Sequence, residues 1–327
     1  MADSQQPIDT TPIAAPLLLG YMFNWALYGI LSVQVYIYHL AFKKDGKYTR
    51  AFVYTLYAVE TAQTIIATND AFNTYARNFG KIEILSLVQN VWLSVPVLTG
   101  IVSSAVQLYY ARRIYSLSDS LPLGLLVASI ALLQGSSAIA TGAKAHQIGN
   151  FVDLEAKSYL VTSIWLIGSA ACDVLIAGSM TFLLVRRDTG MQRTHEIITR
   201  LVRLVVETGS LTATTAIVDA ILFLAQPGQS YHVCAALTLA KLYSNSLLVL
   251  FNSRSRVVSL QSQNSTSQGS YGLGNINRRG LSENRSPPAT TLSTTIHVHE
   301  ESFLDTDSMP MDSLTHIKAK GLTDSAV

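Results

Sequence analysis

The chain has 327 residues, of which 49% are apolar and only 13% are charged, and its net charge is +2, with a mean hydropathy of +0.30. A soluble domain usually has about 25% charged residues, so this composition excludes an ordinary water-soluble protein and indicates that lipid surrounds most of the chain. The small net charge argues against a nucleic-acid partner, and the position of Cys172 and Cys234 in or beside apolar segments argues against a disulfide framework.

Seven apolar stretches follow one another along the chain. Each is long enough to cross a hydrocarbon core about 30 Å thick, which takes roughly 20 residues of helix. The first stretch is too long for the apolar region of a signal peptide, and no Lys or Arg precedes it, so we expect it to be retained as a span. The second carries Glu60 and the sixth carries Glu207 and Asp219, which makes these two the weakest by hydropathy. The predicted spans are 16–42, 51–70, 85–110, 121–142, 159–185, 201–225 and 232–252.

Basic residues alternate between the connecting segments, as seven crossings require. Lys and Arg are concentrated after the first, third and fifth spans and are sparse in the other connections. The positive-inside rule therefore places those three connections in the cytoplasm and residues 1–15 outside, with Arg254 and Arg256 at the cytoplasmic start of the tail. We expect the plasma membrane to be the location.

The spanning segments are predicted to be helices. Lipid offers the backbone no hydrogen-bond partner, so a segment that crosses it must be a helix or part of a closed barrel, and the alternating ten-residue strands of a barrel are absent. The predicted fold is all-α, a polytopic membrane bundle of about seven helices over residues 16–252. Small residues are expected where these helices approach closely, at Ser136, Ala140, Gly142, Gly209 and Ala213.

The C-terminal segment differs in composition from the spans. Residues 257–327 show no apolar periodicity and are rich in Ser, Thr, Asn and Gln. Such a segment cannot bury enough apolar surface to offset its ordering entropy, so we predict a disordered cytoplasmic tail. Residues 278–282 and Ser286-Pro287 are typical of kinase sites, where phosphate would add charge. The tail is therefore a candidate for binding cytoplasmic partners.

Ionisable residues within the spans need an explanation, because each costs at least about 2.5 kcal/mol at mid-helix on insertion scales. Their depths predict that Lys241 meets Glu60 or Asp219 inside the bundle, whereas Glu207 is expected to pair with Arg203 on its own helix. One interpretation is an internal ion pair with hydrogen-bonded carboxylic acids that fix helix register. The functional interpretation is an outward-opening polar pocket for a small ligand or a proton relay. Its lining would be Glu60, Asp173, Asp219, Lys241, Asn245, Asn24 and Gln34.

Catalytic and metal-binding motifs are missing from the sequence. No Gly-x-Ser-x-Gly, His-Glu-x-x-His, paired Cys-x-x-Cys or phosphate-binding glycine loop occurs. We therefore predict no enzyme activity, no catalytic residue, no metal and no cofactor. Lys241 in the seventh span invites comparison with retinal proteins, but Leu237 stands where the microbial class has an Asp, and Phe223 is the single aromatic residue of the sixth span. The comparison argues against retinal.

Short motifs along the membrane region resemble those of one protein family. They are Met180 to Arg187, Thr189-Gly190, Thr194, Glu207-Thr208-Gly209, Thr212, Lys241 to Leu247 and Asn252-Ser253-Arg254, with Tyr28-Gly29, Gln34 and Tyr36-x-Tyr38 in the first span. On these residues the chain resembles a family of uncharacterised seven-helix membrane proteins of mushroom-forming fungi. The family is defined by a C-terminal domain of unknown function, which would cover about 168–256 here. The resemblance implies a membrane location and seven spans, and it brings no activity.

Three functions are compatible with these features. The leading hypothesis is a sensor or interaction protein whose outward-facing pocket and cytoplasmic tail couple a small-molecule ligand to partners. The alternatives are a small-molecule or proton transporter that uses the buried carboxylates, and a purely structural membrane protein. All three have the lipid bilayer as their main partner.

Overall fold

The computed structural model describes residues 11–85, 87–118, 121–186, 192–225 and 231–269. Within these ranges the chain is all-α, and its one β feature is an isolated bridge between Leu87 and Asn150. A π-helical turn, Asn73–Arg77, extends the second helix, and another, Leu93–Val97, leads into the fourth. The helices are α1 Thr11–Ala41, α2 Lys47–Phe72, α3 Ile82–Leu85, α4 Leu98–Ser118, α5 Leu121–Ile148, α6 Phe151–Arg186, α7 Gln192–Ala225 and α8 Tyr231–Gly269.

Six helical segments among the described residues are long and apolar enough to cross a membrane, so the chain is a polytopic membrane protein. The predicted sixth span passes this test despite Glu207 and Asp219, whereas α2 does not. The polar residues Glu60, Gln63 and Asp70 lie on the buried face of α2, and they lower its apolar content. The qualifying segments are Thr11–Ala41, Leu93–Ser118, Leu121–Ile148, Lys157–Arg186, Val202–Ala225 and Tyr231–Arg254.

The order of contacts gives the directions of the first two helices. Trp25 of α1 contacts Thr68 of α2, and His39, further along α1, contacts Tyr54, which comes earlier in α2. Since the residue numbers run in opposite directions, α1 and α2 are antiparallel.

Helices α1 and α8 run in the same direction. The Asn24 amide donates to the backbone carbonyl of Leu237, and the Asn252 amide donates to that of Gln34, so the numbers rise together along both helices. The consecutive helices from α4 to α8 are antiparallel. The contact pairs are Gly100–Ala138 and Gly124–Tyr115 for α4 and α5, Thr141–Thr162 and Cys172–Val127 for α5 and α6, and Gly209–Ala177 and Tyr159–Phe223 for α6 and α7. For α7 and α8, Phe223 contacts His232, while Val205 and Ser246 line one cavity.

The start of the third predicted span was wrong by several residues. It was placed at 85–110, whereas the helix begins with the π turn at Leu93 and ends at Ser118. The preceding segment turns at Gln89, which has a φ of 39°, and bonds through the Val88 amide to the Gly149 carbonyl. The helix also continues through Arg112 and Arg113, which the sequence had placed in a loop.

The chain ends are more helical than expected. Helix α1 begins at Thr11, inside the segment predicted as an extracellular N-terminus. Helix α8 continues to Gly269, although the disordered tail was predicted to begin at 257. Residues 1–10 and 270–327, including the predicted kinase sites, lie outside the described residues.

Small residues bring helices together at some of the predicted positions. Gly142 of α5 faces Val97 and the carbonyl of Trp92, and Gly209 of α7 faces Ala177 of α6. Ala213 is also buried, as predicted. In contrast, Ser136 and Ala140 are exposed, so their assignment to a helix contact was wrong.

We expect Gly142→Ala to destabilise the bundle. A Cβ there would lie 2.8 Å from the carbonyl oxygen of Trp92 and would also collide with Val97. Overpacking of this kind costs about 1–3 kcal/mol, which a lower thermal midpoint of the detergent-purified protein would reveal. Gly178→Ala is the matched control, because nothing lies within 4 Å of its added Cβ and Ala favours helix. Equal midpoints for the two variants would contradict the close approach.

Candidate functional site

A buried ion pair lies at the centre of the bundle. Lys241 Nζ of α8 lies 2.5 Å from Glu60 Oε2 of α2, and both side chains are 0% exposed. The same ammonium donates to Gln63 Oε1 at 2.8 Å, and the Ser244 hydroxyl donates to Glu60 Oε1 at 2.5 Å. Both carboxylate oxygens therefore have donors, which is what a charge pair away from water requires.

Gln63 connects this pair to α4. Its amide nitrogen donates to the Ser94 carbonyl at 2.6 Å and to the Thr99 hydroxyl at 3.2 Å, while its oxygen accepts from Lys241. Glu60 and Gln63 are three residues apart and so share one face of α2. The three helices α2, α4 and α8 thus meet through one polar cluster.

Two asparagines join α1 to the same region. Asn24 donates to the Leu237 carbonyl at 2.9 Å and accepts from the Thr64 hydroxyl at 3.3 Å. Asn245 donates to the Leu27 carbonyl at 3.1 Å and to the Lys241 carbonyl at 2.7 Å. These two side chains bind backbone groups of neighbouring helices and thereby fix α1 against α8.

Asp173 belongs to a separate hydrogen-bonded chain on the other side of α8. It accepts from the Tyr243 hydroxyl at 2.6 Å and from the Gln107 amide at 3.0 Å. Tyr243 also contacts the Ser169 hydroxyl at 2.8 Å, and Gln107 accepts from Gln134 at 3.0 Å. Residues of α4, α5, α6 and α8 therefore meet around this carboxyl.

A small cavity lies beside Asp173. Its volume is about 20 Å³, which is room for about one water molecule. An organic ligand would enter only if the surrounding helices moved apart. The cavity is lined by Val106, Gln107, Tyr110, Asp173, Ile176, Ala177, Val205, Thr208, Gly209, Thr212, Tyr243 and Ser246.

Asp219 and Gln34 lie apart from both clusters. Asp219 is 0% exposed, and neither of its carboxyl oxygens has a hydrogen-bond partner among the described residues. Gln34 accepts from Asn252 through its backbone carbonyl, while its side-chain oxygen is buried without a partner in the described part of the chain. The structure therefore distributes the seven predicted pocket residues over several places in the bundle.

Several polar residues of these clusters were missed by the sequence analysis. The i,i+3 pairs Glu60–Gln63 and Lys241–Ser244 are a usable signal, because each places a hydrogen-bonding neighbour on the same helix face as a charged residue. The chain from Asp173 has no such signal, since Tyr243 and Gln107 lie on other helices.

The cytoplasmic side predicted from the basic residues carries two further ion pairs. Arg254 of α8 lies 2.6 Å from Asp45, in the connection between α1 and α2, and the Tyr38 hydroxyl donates to the same carboxylate at 2.9 Å. The Arg254 guanidinium also stacks over Phe42, 4.8 Å from the ring centre. We call this set the Arg254 clamp. The expected pairing of Glu207 with Arg203 is confirmed at 3.8 Å, with both side chains exposed.

Comparison with protein families gives a match over part of the chain. Residues 169–256 match a family of unknown function (DUF6534), which includes the part of the predicted resemblance from Met180 to Arg254. The matched segment contains Asp173, Asp219 and Lys241 but not Glu60, so the central ion pair joins the segment to the rest of the chain. Neither the search of curated proteins nor the search of solved structures found a match.

We expect the single substitutions Lys241→Met and Glu60→Met to destabilise the protein more than the double variant does. Each single change leaves one charge buried without its partner, which costs about 3–5 kcal/mol, whereas removing both charges avoids that cost. Thermal unfolding in detergent measures the difference.

The exposed pair Arg203–Glu207 of α7 is the control for this comparison of single and double variants. Arg203→Met and Glu207→Met should each change stability by no more than about 1 kcal/mol, as is usual for a surface ion pair. A double variant at 241 and 60 that is as unstable as the two single variants combined would show that the buried charges do not depend on one another.

Proposed function

We propose that this chain is a non-enzymatic, seven-crossing sensor or interaction protein in which α8 transmits a change in the membrane interior to the cytoplasmic tail. The observation that carries the proposal is the position of α8 between the two polar clusters. Lys241 and Ser244 bind Glu60 of α2, while Tyr243 binds Asp173 of α6. A ligand that takes the place of the Tyr243 hydroxyl on Asp173 would therefore release a side chain of α8.

The cytoplasmic end of α8 provides the output of this mechanism. The Arg254 clamp holds the helix against the connection between α1 and α2, and the helix continues beyond it to Gly269. A helix is stiff over this length, so a rotation or shift at Tyr243 would reach the clamp. Ligand binding then changes the population of clamped and released states, which tail partners would recognise.

The helix directions support seven crossings, provided that the six apolar segments all cross. Helices α1 and α8 are parallel, and the helices from α4 to α8 alternate, so α1 and α4 run in the same direction. The chain must therefore return across the membrane between them, and α2 is the long helix available among the described residues of that interval. The resemblance to a fungal seven-helix family supports the same number.

The basic connections support a topology with the N-terminus outside and the C-terminus in the cytoplasm, at the plasma membrane. In a variant lacking Cys172 and Cys234, Tyr48→Cys places a thiol at the start of α2, and Phe79→Cys places one just beyond the π turn that extends α2. The native side chains there are 93% and 84% exposed. We expect an impermeant maleimide to label Phe79→Cys on intact cells and Tyr48→Cys after permeabilisation.

Tyr115→Cys, at the end of α4, is the control and should behave like Tyr48→Cys, because the proposed topology places both on the cytoplasmic side. Labelling of Tyr48→Cys and Phe79→Cys from the same side would contradict a crossing by α2.

A transporter is the second candidate, and the cavity beside Asp173 is the observation that favours it. One water there, next to a carboxyl joined to Tyr243, Gln107 and Gln134, would be part of a proton path. A purely structural protein would use the same hydrogen bonds to fix its helices.

One purified sample distinguishes these functions. For a sensor, we expect no proton uptake into liposomes containing a pH-sensitive dye, and we expect some compounds of a small-molecule library to raise the thermal midpoint. That effect should be lost in Asp173→Asn and kept in Glu207→Gln, which alters an exposed carboxyl that does not line the cavity. The same compounds should change hydrogen exchange in residues 255–269.

The other outcomes identify the alternatives. Proton uptake by the wild-type protein that is lost in Asp173→Asn would replace the sensor with a transporter. A protein that shows neither uptake nor stabilisation by any compound would be structural.

A further inference from the structure

An open groove lies between α1 and α2 on the outer surface of the bundle. Its volume is about 340 Å³, and it is lined by Trp25, Ile65, Thr68, Asn69 and Phe72. The three large apolar side chains are strongly exposed, Trp25 at 52%, Ile65 at 64% and Phe72 at 57%. Because α1 is long and apolar enough to span a membrane, we expect this groove to face lipid.

One wall of the groove is fixed before any lipid binds. The Trp25 indole nitrogen donates to the Thr68 hydroxyl at 2.9 Å, and its ring packs edge-on against Tyr28 with ring centres 6.0 Å apart. The ring is therefore held in one orientation, which lowers the entropy cost of binding a chain against it.

A cation lies at the end of the groove that faces away from the Arg254 clamp. Arg77 ends the π turn that extends α2, and its guanidinium lies 5.5 Å from the centre of the Phe72 ring. Its side chain is exposed, and within the described residues Phe72 is the contact shown for its guanidinium. The N–H donors can therefore bind a phosphate, to which guanidinium is well suited.

The spacing between the groove and this cation fits one leaflet. Twelve residues separate Ile65 from Arg77, which is about 18 Å at 1.5 Å per residue. Half of the hydrocarbon core is about 15 Å thick, and the phosphates lie just beyond it. A lipid phosphate on Arg77 would thus place its acyl chain along the groove as far as Ile65.

We propose that this groove binds one phospholipid, with its phosphate on Arg77 and an acyl chain between Trp25 and Phe72. The cation at the polar end favours a phospholipid over a neutral lipid, which would leave the guanidinium without an anion. The inference rests on the membrane crossing of α2 proposed above, and the cysteine-labelling experiment tests that crossing separately.

Quenching of Trp25 by a phospholipid brominated in its acyl chains tests the proposal. The chain has three tryptophans, so Trp92→Phe and Trp165→Phe leave Trp25 as the single reporter. In detergent, titration with brominated phosphatidylcholine should quench Trp25 and saturate at about one lipid per protein. Loss of the charge-assisted contact in Arg77→Gln should require roughly tenfold more lipid.

Native mass spectrometry of the protein with all three tryptophans gives an independent readout. A retained phospholipid should be present in the wild type and reduced in Ile65→Trp, which fills the groove with a larger ring. The controls are Lys144→Gln, which removes a positive charge at the same end of the bundle, and Leu132→Trp, which enlarges another exposed residue. Both should retain the lipid.

Several outcomes would overturn the proposal. Quenching that rises without saturation, or that is the same in the wild type and Arg77→Gln, would mean that Trp25 contacts bulk lipid. Retention of phospholipid by Ile65→Trp would mean that the groove does not hold the chain. If the protein forms a dimer in which Trp25 is protected from the brominated lipid, the groove would bind a second copy of this chain and not a lipid.

Discussion

The interaction on which the bundle depends is the ion pair between Lys241 and Glu60. In hydrocarbon neither charge can be solvated by water, so each residue is tolerable only while the other is present. The pair sets the rotation of α2 and α8 about their axes, because the helix faces that carry it must meet. Gln63 and Ser244 then occupy positions where they complete its hydrogen bonds, and Gln63 extends the constraint to α4. A few polar contacts thus fix helices whose apolar surfaces alone would pack in several registers.

Helix α8 is held by this ion pair on one face and by further hydrogen bonds on another. Its residues from Lys241 to Leu248 are all buried, which is unusual for a span with lipid around the bundle. Its polar side chains extend from two faces, to Glu60 on one side and to Asp173 on the other, and the Arg254 clamp holds the helix further along the chain. A central helix with partners on several sides is difficult to move without breaking hydrogen bonds. A molecule that supplies replacement hydrogen-bond partners lowers this cost, so the position of α8 is sensitive to it.

The sequence was sufficient for the fold class because the apolar stretches are set by lipid thickness. It was less accurate at the ends, since α4 continues through Arg112 and Arg113 beyond the apolar stretch, and α8 continues to Gly269. For the candidate site, depth alone left Lys241 with two possible partners, Glu60 and Asp219. Which of the two acids pairs with Lys241 depends on the angle of each side chain around its helix axis, and only packing determines that angle. Gln63 and Gln107 were missed because packing alone decides whether an amide faces the interior of the bundle, although both are central to the clusters.

The separation of the paired charges in the sequence has a consequence for biogenesis. Glu60 and Lys241 are 181 positions apart, so α2 leaves the ribosome and meets the translocon long before α8 has been synthesised. During that interval the acid of α2 lacks its ammonium and must be kept from lipid by protonation, by the insertion machinery or by delayed entry. Assembly of the bundle therefore finishes with the arrival of its last helix, and the segment 169–256 taken alone would carry an ammonium into the bilayer with no acid from α2 to receive it.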